Sequence, residues 1–256
     1  MKTVPVTPTY KKPPVREAII DIRVPPLPVT ALPILDQLHG KLVQQYPDKK
    51  TTYAWEGKWE MRETTVVSSQ KSHGPIGYRF TSADEKQILQ FRLDGYSFHR
   101  LKPDPEGEWQ GWDSIREEAK RAWELYVGET SPQEITRLAI RYINQVVIRA
   151  TSIELNDYFT AAPQIPKRFR YQDLSNFFSR VAIPIKDLNA TAVVTHAPSP
   201  RPFPNTVTII LDIEIFRQQK EPLDASMIWE TLDQFRDIKN NVFEESLRAK
   251  ARKLFK

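Results

Sequence analysis

The chain has 256 residues, with 37 Lys and Arg against 32 Asp and Glu for a formal charge of +5, 8 Gly, 21 Pro and no Cys. The missing Cys excludes a disulfide framework, a thiolate metal site and a Cys nucleophile. A Gly share about half the usual one argues against a Gly-rich phosphate cradle, and the length suits one large domain or two small ones with a real core.

Five basic residues, Arg248, Lys250, Arg252, Lys253 and Lys256, fall in the last nine positions, which hold no acid. The remaining 32 basic residues match 32 acidic ones, so the body is formally neutral and only one tip is basic. Cations in the last turns of a helix complement its dipole and keep its end soluble, a plain reading favoured over nucleic-acid contact. No apolar run has signal-peptide or membrane-spanning length; Val207 to Ile215 is interrupted by Asp212 and Glu214. The expectation is a soluble cytoplasmic protein with no membrane contact.

Residues 1–15 hold four Pro and read as an extended arm. In EAIIDIRV, Ala18, Ile20, Ile22 and Val24 share one face of a strand that Pro25 and Pro26 end. A helix is expected over 30–45, with Pro33 in its first turn. Strands follow over 51–61 and 63–69, with a turn at Gly74 to Gly77 and another strand over 78–81. Along ILQFRLDGYSFHRL, at 88–101, the apolar phase switches from Leu89 and Phe91 to Tyr96 and Phe98. Asp94-Gly95 sits at the switch, as a bulge or tight turn would. A helix over 112–127 is stopped by Gly128.

The second half begins near Pro132. A long strand covers 134–148, a short helix 153–159, and strands 177–184 and 190–195. Val207, Ile209, Leu211, Ile213 and Ile215 alternate in the cleanest strand of the chain. From 224 to 254 the spacing of Ile228, Leu232, Phe235, Ile238, Val242, Phe243 and Leu247 predicts one long helix, roughly 45 Å.

The order strand, helix, several strands, helix occurs twice. Arg16-Glu-Ala-Ile resembles Arg137-Leu-Ala-Ile, and Leu93-Asp94 with Phe98 resembles Leu211-Asp212 with Phe216, at nearly equal offsets. The expected fold is α+β: an arm at 1–15, a first half at 16–131 and a similar second half at 132–256. Each half is an antiparallel sheet covered by helices.

Three stretches, KKPPVREAIIDIRV, LQFRLDGYSFHRLKP and ITRLAIRYINQVVI, together with Trp109 and the Trp123 to Tyr126 segment, resemble a sporadically distributed family of uncharacterised bacterial proteins. The resemblance covers roughly the first two thirds of the chain. Such patchy distribution is common among mobile or defence-associated genes. The family brings no assigned reaction, so it implies no catalytic residue.

The four His, at 39, 73, 99 and 196, form no close-spaced pair, and no metal or cofactor is expected. No serine elbow, P-loop or dinucleotide fingerprint occurs. Asp212 and Glu214 suit a divalent cation, but alternation makes them the solvated face of a half-buried strand. Trp55, Trp59 and Tyr53 share a strand face and read as core rather than as a base-stacking platform.

On the RYIN strand, Arg137, Arg141 and Gln145 share one face, and Asn144 sits in the apolar row opposite. The arginines suit an anion or an acidic partner, or a cross-strand acid such as Glu17 or Asp21. Asn144 needs a hydrogen-bonding partner of its own. Candidate binding residues are thus Arg137, Arg141, Asn144, Arg248, Lys250, Arg252 and Lys253, with no catalytic residue.

These features favour a non-enzymatic interaction protein, such as an antitoxin, immunity or defence-accessory factor that binds a protein partner. A nucleic-acid binder using the basic tip is the first alternative. A small-ligand sensor or enzyme with a pocket between the halves, lined by Arg141 and Asn144, is the second. Self-association into a homo-oligomer is compatible with each.

Overall fold

The computed structural model describes residues 10–62, 65–102, 108–172, 174, 176–200 and 203–256, with the backbone alone over the described part of 55–73. Alternation builds the centre of the fold. In β1 (Val15–Arg23), Ala18, Ile20 and Ile22 are at most 1% exposed, while Glu17, Asp21 and Arg23 point to the other side. In β7 (Arg137–Ile148), Leu138, Ile140, Tyr142 and Val146 are buried in the same way.

The first half continues through α1 (Leu32–Leu42), β2 (Asp48–Arg62), β3 (Thr65–Thr81), β4 (Gln87–Arg92), β5 (Gly95–Leu101) and α2 (Trp112–Thr130). The second half adds β8 (Ser179–Ile185), β9 (Ala190–Pro198), β10 (Val207–Arg217), α3 (Ala225–Ser246) and α4 (Ala249–Arg252). A two-stranded ribbon joins β6 (Glu134–Ile135) to β11 (Glu221–Pro222). The nine longer strands make one sheet in the order β2-β3-β4-β5-β1-β7-β10-β9-β8. Every pairing in it is antiparallel. The fold is therefore α+β, with a large antiparallel sheet and a C-terminal helix.

β1 and β7 lie side by side at the centre, with Ile20 opposite Ile140. Their apolar rows join those of β10 and the buried sides of the helices, including Leu35, Trp123, Leu232 and Phe235, in one cluster. That cluster takes in neither Ile19 nor Ala139 from the opposite side of the sheet. One core thus lies beneath the helices, and the reverse face of the sheet centre carries the charged side chains of β1, β7 and β10 among a few apolar ones such as Ile19 and Ala139.

Several local expectations shift. Gly74 to Gly77 does not end a strand: β3 runs through it, with register irregularities opposite Thr52 to Trp55. The tight turn expected at Asp94-Gly95 forms one residue earlier, over Leu93 and Asp94: Gly95 already opens β5 and pairs with Arg92 across it. α2 continues past Gly128 to Thr130 and ends where Ser131 takes a left-handed conformation, φ 47°. The helix expected over 153–159 is a single 3-10 turn, Leu155–Asp157. Residues 1–9 of the arm, and the side chains of Trp55 and Trp59, lie outside the described residues; Tyr53 is half exposed.

The largest difference is at the C-terminus. α3 is capped by Asp224, whose carboxylate accepts from the amides of Ser226 and Met227. It spans 22 residues, about 33 Å, and stops at Ser246. Leu247 adopts an extended conformation and bridges to Phe159. The Arg248 amide donates to the Tyr158 carbonyl at 2.8 Å, and that of Thr160 to Ser246 at 3.0 Å. The break lets Leu247 and Ala251 bury completely and Phe255 almost completely. The Tyr10 ring then packs edge-on against Phe255, 5.5 Å between centroids.

Candidate functional site

The polar face of the sheet centre carries an interlocked set of charges. Asp21, on β1, is its hub. Its carboxylate accepts from Arg23 Nε at 3.0 Å, Arg92 Nη2 at 2.9 Å and Arg137 Nη1 at 2.8 Å. Burial opposes its charge, but the guanidinium groups of Arg23, Arg92 and Arg137 outweigh that and hold its pKa below the usual carboxylate value. Arg23 also reaches Asp94, and Arg137 Nη2 reaches Glu214 Oε1 at 2.6 Å. Arg137 further stacks over the Phe216 ring at 5.0 Å.

Arg141 grips Asp212 with two nitrogens, Nε at 2.9 Å and Nη2 at 2.5 Å. These pairs join β1, β4, β7 and β10 crosswise. Four arginines thus meet four carboxylates, Asp21, Asp94, Asp212 and Glu214, and the charges of this set cancel. Beside them, His99 Nδ1 lies 2.7 Å from Glu17 Oε1 and its Nε2 lies 3.0 Å from Ser97 Oγ. A carboxylate can only accept, so Nδ1–H donates to Glu17 and, in the neutral ring, the Ser97 hydroxyl donates to Nε2. A shallow depression of about 510 Å³ lies over this group, between Arg23, Gln90, His99 and Arg141.

The sequence candidates separate onto different surfaces. Arg137 and Arg141 sit together on the polar face. Asn144 lies on the opposite face, 2% exposed, where its amide donates to the Leu211 carbonyl at 3.0 Å and more weakly to that of Tyr142. It satisfies the polar demand of an apolar row. A cleft lined jointly by Arg141 and Asn144 is therefore not formed.

The four basic candidates near the C-terminus are split as well. Arg252 turns back on α3, donating to the carbonyls of Glu244 at 2.8 Å and Leu247 at 2.6 Å. It caps the helix end from which it was expected to project. Lys250 pairs with Asp157 at 2.9 Å and lies over the Tyr158 ring; the bond to Asp157 raises its pKa. Arg248 and Lys253 are exposed.

A second site was not anticipated. Between the arm, β7 and α3 lies a cavity of about 620 Å³. Lys239 of α3 lines it, 9% exposed, its ammonium 3.8 Å from the centre of the Tyr142 ring. Its hydrogen bond goes to the neutral Asn240 amide oxygen, and among the described residues no carboxylate pairs with it. Burial, reinforced by Arg236, lowers its pKa to about 7. The signal was present in the sequence: Lys239 stands four residues after Phe235 and seven after Leu232, in the apolar stripe of α3.

No family model matches the chain, and neither a curated protein nor a solved structure does.

Proposed function

We propose that the protein is a non-enzymatic interaction protein that receives a protein partner on the helix-free centre of its sheet. The observation that carries this reading is the charge-matched lattice around Asp21. Its four arginines are already oriented by four carboxylates, so a partner meets ordered donors and acceptors of both signs at little entropic cost. A polyanion would gain little from a lattice whose charges cancel. The finer form, an antitoxin, immunity or defence-accessory role, rests on the resemblance to the sporadically distributed bacterial family.

The proposal extends to the history of the fold. We infer an internal duplication in which β1 corresponds to β7. Their central antiparallel pairing, with α2 closing one half and α3 the other, supports it. Among the described residues, the second half has no counterpart of α1.

The test is capture from the native host with tagged wild type, Arg141→Glu and Lys253→Glu, each with and without nuclease. A protein retained by wild type and Lys253→Glu but lost with Arg141→Glu supports the reading. Capture unaffected by Arg141→Glu, or abolished by nuclease, overturns it.

A further inference from the structure

We propose that the cavity beside Lys239 binds a small organic anion whose charged group is a phosphate. The site lies on the helix side of the sheet and is independent of the interaction face.

Three features converge there. Lys239 is a buried ammonium held over an aromatic ring, with a neutral amide as its hydrogen-bond partner and, among the described residues, no counter-charge within ion-pair distance. A desolvated cation of this kind is costly to keep, and an incoming anion removes the cost. Arg236, three residues earlier on α3, also lines the cavity, and its buried Nε has no hydrogen-bond partner among the described residues. Finally, Gly111 and Trp112 also line the cavity. They begin α2, a 19-residue helix whose N-cap Gly111 offers no side chain to the first amides. A positive helix end, a forked guanidinium and a point-charge ammonium form a donor set matched to phosphate.

One carboxylate shares the wall: Glu244 Oε2 accepts from the Tyr10 hydroxyl at 2.9 Å and is 3.5 Å from Arg252 Nε, while its buried Oε1 has no hydrogen-bond partner among the described residues. Its charge favours the Lys239 ammonium from beyond ion-pair distance and does not outweigh the burial. Lys11 and Glu108 complete the ionisable groups on the wall; Asp237 lies next to Arg236, 3.0 Å from its Nη1. Trp109 and Trp112 give the cavity an aromatic side, which fits an anion carrying a flat apolar body.

The experiment is calorimetric titration of the full chain with phenyl phosphate, inorganic phosphate and phenol. Phenyl phosphate is expected to bind most tightly, inorganic phosphate more weakly and phenol not at all. Near pH 8, where Lys239 is mostly neutral, binding should take up about one proton, read from the heats in buffers of different ionisation enthalpy. Lys239→Met should weaken phenyl phosphate by about tenfold or more and abolish the uptake. Arg236→Gln, at a partly exposed position, should weaken it by a smaller factor and keep the uptake, which covers the case of a poorly folded Lys239→Met. No heat with either phosphate, equal affinity in a folded Lys239→Met, or unchanged affinity in Arg236→Gln would overturn the proposal.

Discussion

Arg137 on β7 and Asp21 on β1 meet at 2.8 Å across the central strand pair, although they are not direct register partners. Asp21 faces Ala139 in the ladder, so the arginine reaches it diagonally. The same carboxylate is approached by Arg23 and Arg92. One acid is therefore shared by three partly buried cations, which also reach Asp94 or Glu214.

Removing that acid should be costly. Asp21→Asn leaves Arg23, Arg92 and Arg137 crowded without their shared counter-charge, and a loss of about 3 kcal/mol at neutral pH is expected in urea unfolding. The effect depends on pH in a fixed direction. The folded pKa of Asp21 lies below its unfolded value. Its stabilisation is present above the unfolded pKa and fades as pH falls through the folded one. The gap between wild type and Asp21→Asn should close in strong acid; a gap independent of pH would contradict the account.

Lys239 works in the opposite direction. Its folded pKa is about 7, well below that of an exposed lysine. Between those values the unfolded chain binds more protons, so stability rises with pH, by at most about 1.4 kcal/mol per unit. Tyr142, Tyr10, Arg236, Asp237 and Glu244 surround it; the tyrosines have raised pKa values and stay protonated in this window. Lys239→Met should flatten the profile between roughly pH 7 and 9.5 and stabilise the protein at neutral pH.

Gly95 and Gly40 make a paired test. Gly95 has φ 132°, and a Cβ there would lie 2.3 Å from the Ile22 carbonyl. Gly95→Ala should cost about 2 kcal/mol or more. Gly40 lies within α1, and a Cβ added there would meet open space. Gly40→Ala should add about 0.5–1 kcal/mol. Thermal unfolding of both variants reads the difference in sign.

The basic tip should behave as structure. Arg252→Ala removes the bonds to the carbonyls of Glu244, in the last turn of α3, and of Leu247, just beyond it, and is expected to cost about 1 kcal/mol. Arg248→Ala and Lys253→Ala, at exposed positions, should stay within about 0.5 kcal/mol. Equal losses at all three positions would refute the capping role.

What the sequence revealed follows from periodicity. Strands with one buried face announced themselves at β1, β7 and β10, because alternation records which side meets the core. The acid that Arg137 reaches on β1, Asp21, is one of the two cross-strand candidates the sequence offers, on the condition that the two similar strands lie side by side. Arg92 is hidden because it stands on β4 and only strand pairing brings it near Asp21, whereas Arg23 lies two residues along the same face of β1. The end of α3 was hidden for another reason. Val242, Phe243, Leu247 and Ala251 keep helical spacing, and no Gly or Pro marks the break. Burial of Leu247 and Phe255 decides it, and that is a property of the assembled core. β3 runs through Gly74 and Gly77 because its pairing with β2 absorbs the irregularity as register shifts between Thr52 and Trp55.

The central seam also bears on how the chain is made. Asp21 and Arg137 are 116 residues apart. At typical rates of synthesis, roughly ten seconds separate the emergence of β1 from that of β7. During that interval β1 can pair with β5 on one side only. Its other edge stays open beside a row of side chains destined for the core, a template for pairing with neighbouring nascent chains. The joint that holds the finished sheet together thus waits for the second half to emerge, and the N-terminal half made alone should aggregate where the full chain folds.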